Sequence, residues 1–117
     1  MSVHTEGQFP IKFLIDRQTA DEYTSVPFQV LGSNHRDVLV TFTSEGTTSS
    51  GNIIIEESDL PSYTGTWSQL LSQTAASFTG SVKLCAHIEL GCGAWVRARI
   101  NTVIGGGGTV TVTITNV

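Results

Sequence analysis

Charge is scarce in this 117-residue chain. Asp, Glu, Lys and Arg together make up 14%, against about 25% in a typical soluble domain. Basic residues are the scarcer sign: six Lys and Arg stand against ten Asp and Glu, a formal net charge of −4. A nucleic-acid binder neutralises phosphates with clustered basic side chains. Only Arg97 and Arg99 lie close together here, so no nucleic-acid partner is expected. Long apolar runs are missing as well: none approaches the ~20 residues of a membrane-spanning helix, and no membrane association is expected. Residues Met1 to Gly7 carry neither the basic stretch nor the apolar run of a secretory signal. The expectation is synthesis and folding in a cytosol, where the two cysteines, Cys85 and Cys92, stay reduced.

Leu, Lys, Glu and Ala do not dominate, which argues against a helical bundle or coiled coil. What abounds is Thr (16) and Ser (12), which with 12 Gly form about a third of the chain. Plentiful β-branched residues and a mean hydropathy of +0.10 argue against disorder. The length suits one domain, large enough to bury a core without metal or disulfide.

Along the chain the apolar pattern has the period of strands. Ile11–Ile15 is a first candidate, followed by a polar stretch to Thr24 read as a loop or short helical turn. Ser25–Leu31 is a second strand, confined to an edge or a strand start because Pro27 has no amide to donate. In Asp37–Thr43, Val38, Val40 and Phe42 share one face. Ser44–Gly51 reads as a flexible hairpin loop, and Asn52–Glu57 as a core strand. A turn around Pro61 leads to a strand over Thr66–Leu71, and Ser72–Ser81 reads as a polar connection. Val82–Leu90 and Ala94–Asn101 follow, separated by Gly91–Gly93. Gly105–Gly108 is a hairpin turn before Thr109–Thr115, where Val110, Val112 and Ile114 face in and four Thr face out. Seven or eight short strands with regular turn signals predict an all-β, single-domain antiparallel β-sandwich, of jelly-roll or Ig-like topology. Residues 1–24 form an N-terminal arm on this reading, and residues 25–117 the sandwich.

Candidate chemistry is sparse. Cys85, His87 and Glu89 would share one strand face, and Cys92 lies close, but a structural zinc site needs four ligands in paired spacing. The alternatives are half-buried thiols with a surface imidazole, or a Cys85–Cys92 disulfide across the glycine turn. Gly105–Gly108 lacks the Lys-Ser/Thr and the helix of a phosphate loop. Glu56 and Glu57 point to opposite faces of a strand and cannot form a glycosidase pair; with Asp59 they read as a solvated strand end. No Gly-x-Ser-x-Gly elbow and no nucleophile–base pattern is present. No catalytic residue, cofactor or metal is expected, and the chain reads as a non-enzyme.

Trp67 and Trp95 are the largest apolar side chains, suited to a core, an interface or a sugar platform. Trp95, Arg97 and Arg99 share one strand face, opposite the small apolar set Ala94, Val96, Ala98 and Ile100. That face points outward or across to another subunit, and Trp and Arg are enriched at interface hot spots; the equal alternative is ordinary cross-strand packing of an arginine stem against a ring.

Four segments carry a resemblance: Gly51-Asn-Ile-Ile-Ile-Glu-Glu-Ser58, Gly65-Thr-Trp-Ser-Gln-Leu70, Gly93-Ala-Trp-Val-Arg-Ala-Arg-Ile100 and Gly107-Gly-Thr-Val-Thr-Val-Thr-Ile114. Together they resemble small β-sandwich structural proteins of tailed-bacteriophage virions, over roughly residues 36–117. The loop Cys92 departs from that pattern. The resemblance implies a structural virion protein, assembled in the host cytoplasm. The resemblance does not say where on the particle it sits; a lone domain without a collagen-like or coiled-coil stalk favours a capsid decoration or cement protein over a neck, tail or fibre component, and a carbohydrate-binding module is the reading from another class. The decoration reading implies the major capsid protein or another virion protein as partner, and a homo-oligomer, a trimer being favoured. The interface candidates are Trp95, Arg97, Arg99 and Trp67, with Phe9 and Ile11 of the arm.

Overall fold

The computed structural model describes residues 12–19, 23–29, 37–80, 82–90 and 95–116. They form eight strands: β1 (Lys12–Gln18), β2 (Phe28–Gln29), β3 (Asp37–Glu45), β4 (Ser50–Ser58), β5 (Ser68–Thr74), β6 (Leu84–Glu89), β7 (Trp95–Gly105) and β8 (Thr109–Asn116). One 3-10 turn, Ala75–Phe78, lies between β5 and β6. Two four-stranded antiparallel sheets result, ordered β1-β8-β3-β6 and β2-β7-β4-β5.

The pairing is nested. β4 pairs with β5, β3 with β6, β2 with β7 and β1 with β8. The chain is thus one long antiparallel ribbon folded back at β4–β5 and then coiled, so that β3 meets β8 and β4 meets β7. That is the double-sheet jelly roll, and it decides between the two topologies left open by strand count.

The core lies between the sheets. β3 contributes Val38, Val40 and Phe42, and β8 contributes Val110, Val112 and Ile114, all fully buried. Across from them stand Ile53 and Ile55 of β4, and Val96, Ala98 and Ile100 of β7, also fully buried. Alternation alone accounts for these inward faces. Each large side chain so buried contributes about 1.5–3 kcal/mol.

Several local expectations change. β1 runs to Gln18 through two register shifts, with Arg17 at a φ of 52° and its amide donating to Thr111 Oγ1 at 3.2 Å. Asp16–Gln18, read as the start of a loop, therefore continue a strand, and Lys12–Gln18, placed in the arm, pairs with β8 in the sandwich. Among the described residues of Ser25–Leu31, Phe28–Gln29 is the regular strand, and it lies at a sheet edge, one of the two places that suit Pro27. Tyr23 and Ser25 reach the same side of β7: Tyr23 O accepts from Ile100 N at 2.8 Å, and Ser25 N donates to Ala98 O at 2.9 Å. The polar connection Ser72–Ser81 holds the end of β5 and the 3-10 turn, whose Phe78 is fully buried, 5.6 Å from the ring of Phe42.

The two expected hairpins, Ser44–Gly51 and Gly105–Gly108, are corners between sheets. β3 and β8 lie in one sheet, β4 and β7 in the other. The corners are stitched together: Ser49 N donates to Gly105 O (2.8 Å) and Gly108 N to Thr47 O (2.7 Å). Thr48 is fully buried, its hydroxyl donating to Ala75 O at 3.0 Å and its amide to Thr79 Oγ1 at 2.7 Å. A loop so tied is no flexible hairpin. Gly106, at φ 104°, has Thr47 O and Ser49 N only 2.8 Å from where a Cβ would stand, so the close approach needs glycine.

Candidate functional site

Strand alternation puts Val96, Ala98 and Ile100 inward and leaves Trp95, Arg97 and Arg99 on the outer face of the β2-β7-β4-β5 sheet. Ala94 lies outside the described residues. Opposite them on β4 stand Ser58, Glu56 and Ile54, in that order. Ile54 is on the outer face yet only 4% exposed.

Glu56 is the centre of this face. Its Oε1 accepts from Arg97 Nε at 2.7 Å and from Arg99 Nε at 3.3 Å. Glu56 is 3% exposed, so it is not the solvated strand end its neighbours in sequence suggest. Burying a carboxylate is costly unless it is paired and hydrogen-bonded, and two guanidinium groups supply both. The Arg pair was legible as a face. The acid that holds it lies about forty residues earlier in the chain, and only the β4–β7 register brings the two together. A β5 bulge opposite Ile55 and Glu56 adds one residue to the edge strand here.

The Arg97 guanidinium also lies over the Trp67 ring, 4.0 Å from its centroid. Trp67 precedes β5, where a strand over Thr66–Leu71 was expected, and is 4% exposed. Its Nε1 donates to Tyr63 O at 2.9 Å. A ring so buried and covered by Arg97 offers no face to a sugar. Trp95, by contrast, is half-buried beside Ser58. Glu56, Arg97, Trp67 and the Tyr63 carbonyl thus form one continuous chain of contacts, from the middle of the sheet to the loop between β4 and β5. The outer face continues in uncharged polar groups: Asn52 Nδ2 donates to Asn101 Oδ1 (2.8 Å) and to Ser72 Oγ (3.0 Å).

The other candidates are dispersed. Phe9, Ile11 and Cys92 lie outside the described residues. Cys85, His87 and Glu89 are exposed on one face of β6, as alternation predicts. Cys85 is a free thiol 3.7 Å from Thr41 Oγ1, and His87 Nε2 is 3.8 Å from Asp37 Oδ1. Among the described residues no group of three His, Cys, Asp or Glu could hold a metal ion. No helix among them is long and apolar enough to cross a membrane.

No protein-family model and no curated protein sequence matches the chain.

Proposed function

We propose that the chain is a non-enzymatic structural protein of a tailed-bacteriophage virion, a decoration or cement protein that binds the outer head surface and stabilises the shell. The observation that carries this reading is the placement of Gly93–Ile100, one of the four resembling segments. Its described part begins β7 and presents Trp95 on an outer face braced by Glu56, Arg97 and Arg99. Trp95 is then the contact residue, and the two arginines position the face. The other three segments fall on β4, the entry to β5, and β8. Double-sheet jelly rolls recur in viral capsid and lectin domains, which supports the reading by analogy of fold.

Physical arguments point the same way. Arg97 and Arg99 are committed to one buried carboxylate, leaving this close basic pair poorly placed to neutralise phosphates. β5 is a seven-residue edge strand without a charged side chain, and such edges are normally paired or protected. A neighbouring copy or the shell would cover it. Closed symmetry such as a trimer, repeated over many sites, turns modest interfaces into firm attachment.

Gold-labelled antibody imaging of intact virions tests the assignment. Label spread evenly over heads is the expected result. Label confined to the neck or tail moves the chain to a tail, neck or fibre component, and no label on any virion overturns the reading. Within the decoration reading, Trp95→Ala lowers head binding by about tenfold or more in a pull-down on heads, as truncating an interface Trp does.

A further inference from the structure

The nine residues that join β4 to β5 form, with the adjoining strand ends, a cleft that begins at Ser58, beside Trp95. It encloses about 380 Å³, at the small end of ligand pockets, which run about 300–1,000 Å³. Two carboxylates line it, Glu57 and Asp59, with the hydroxyls of Ser58, Thr66 and Ser68. Leu60 and Tyr63 supply the apolar part and are 59% and 45% exposed. No lysine or arginine is among the lining residues.

The loop is held in shape from beneath. Tyr63 N donates to Leu60 O at 3.3 Å, and Leu60 N to Ser58 Oγ at 3.2 Å. The Tyr63 carbonyl is gripped by buried Trp67, itself pinned under Arg97. The Tyr63 ring lies across Gly65, where a Cβ would stand 2.3 Å from its Oη. Glycine at 65 therefore gives the ring its seat, and the half-exposed tyrosine is positioned before any ligand arrives. A preformed site loses less ordering entropy on binding.

We propose that this cleft binds a saccharide, a neutral or amine-bearing pyranose that lies against Tyr63 and shares hydrogen bonds with the carboxylates and hydroxyls. An aromatic face with several spaced acceptors and donors matches the alternation of C–H and O–H groups on a sugar ring. A lysine side chain from a protein partner would use the two carboxylates and leave the hydroxyls unmatched. The two acidic groups repel acidic sugars and favour an amine. This inference stands independently of the virion assignment.

The test is a backbone-amide NMR titration of the full chain with cellobiose, the glucosamine disaccharide, 3′-sialyllactose and a hexalysine peptide. Expected are shifts confined to residues 57–68 with the first two sugars, tighter for the glucosamine disaccharide, and none with sialyllactose. Tyr63→Ala weakens binding about tenfold with an unchanged melting temperature. Gly65→Val does the same by displacing the ring, and Asp59→Asn removes the preference for the amine. Absence of sugar-dependent shifts at 57–68, equal binding of sialyllactose, binding of hexalysine alone, or full binding by both ring variants overturns the proposal. Label on virions with no sugar response would sink this inference and leave the virion reading intact.

Discussion

The two outer faces of the sandwich are built on opposite plans. On the β1-β8-β3-β6 sheet, Thr109, Thr111 and Thr113 of β8 stand beside Glu45, Thr43 and Thr41 of β3. The five threonines are short polar groups and Glu45 is an exposed charge, all in contact with water, and the exposed Asp37–His87 pair is 3.8 Å apart with both side chains more than half exposed. On the β2-β7-β4-β5 sheet the outer face buries Ile54, Glu56 and Trp67 to 4% exposure or less and locks them with arginine. The first face is a solvated surface that repeats in sequence. The second behaves as a thin additional core, joined by contacts between residues far apart in the chain. Stability should therefore respond to mutation very differently on the two sides.

The largest break in that comparison is Trp67→Ala. It removes a buried ring, its bond to the Tyr63 carbonyl and the platform under Arg97, and should cost about 3–5 kcal/mol. At about 4 °C per kcal/mol for a domain of this size, a thermal melt would fall by ~12–20 °C. Next comes Glu56→Gln, which leaves two guanidinium groups facing a neutral amide. Breaking a buried pair costs about 3–5 kcal/mol, but the arginine side chains are 22% and 31% exposed and regain water, so about 2 kcal/mol is expected. Because the carboxylate is buried, the loss should persist in 1 M salt; a loss abolished by salt would show the lock to be a surface pair. The smallest effect belongs to the opposite face. Thr113→Val should change stability by no more than about 0.5 kcal/mol in urea unfolding. A larger loss there would mean the threonine face is itself structured or covered.

How much was legible follows from the range of the interactions involved. The inward faces of β3, β7 and β8 could be read because alternation is a local rule, and Val38, Val40 and Phe42 obey it without reference to any other strand. Pro27 confined β2 to an edge or a strand start, and the sheet order put it at the edge. The two glycine-rich corners misled because a glycine turn between strands looks the same whether the strands pair or part to different sheets. Phe78 was missed since a four-residue 3-10 turn leaves no periodicity to detect. Glu56 was misread for a related reason: it sits in an acidic run that ends in exposed Asp59, and its partners lie at positions 97 and 99. Tyr63 carried no signal beyond being aromatic in a turn, and its setting depends on Gly65 and Trp67 together.

By itself, then, the sequence determined the class of fold, the identity of most inward residues and the outward grouping of Trp95, Arg97 and Arg99, since a strand's side chains alternate whatever it pairs with. Only the tertiary structure decided which strands became partners, that the chain coils as a jelly roll, that Glu56 is buried on the outer face beneath two arginines, and that the β4–β5 loop is pinned into a cleft. Those outcomes rest on register between strands some forty residues apart, where the free energy of burying a charge is settled by what lies opposite it and not by what lies beside it in the chain.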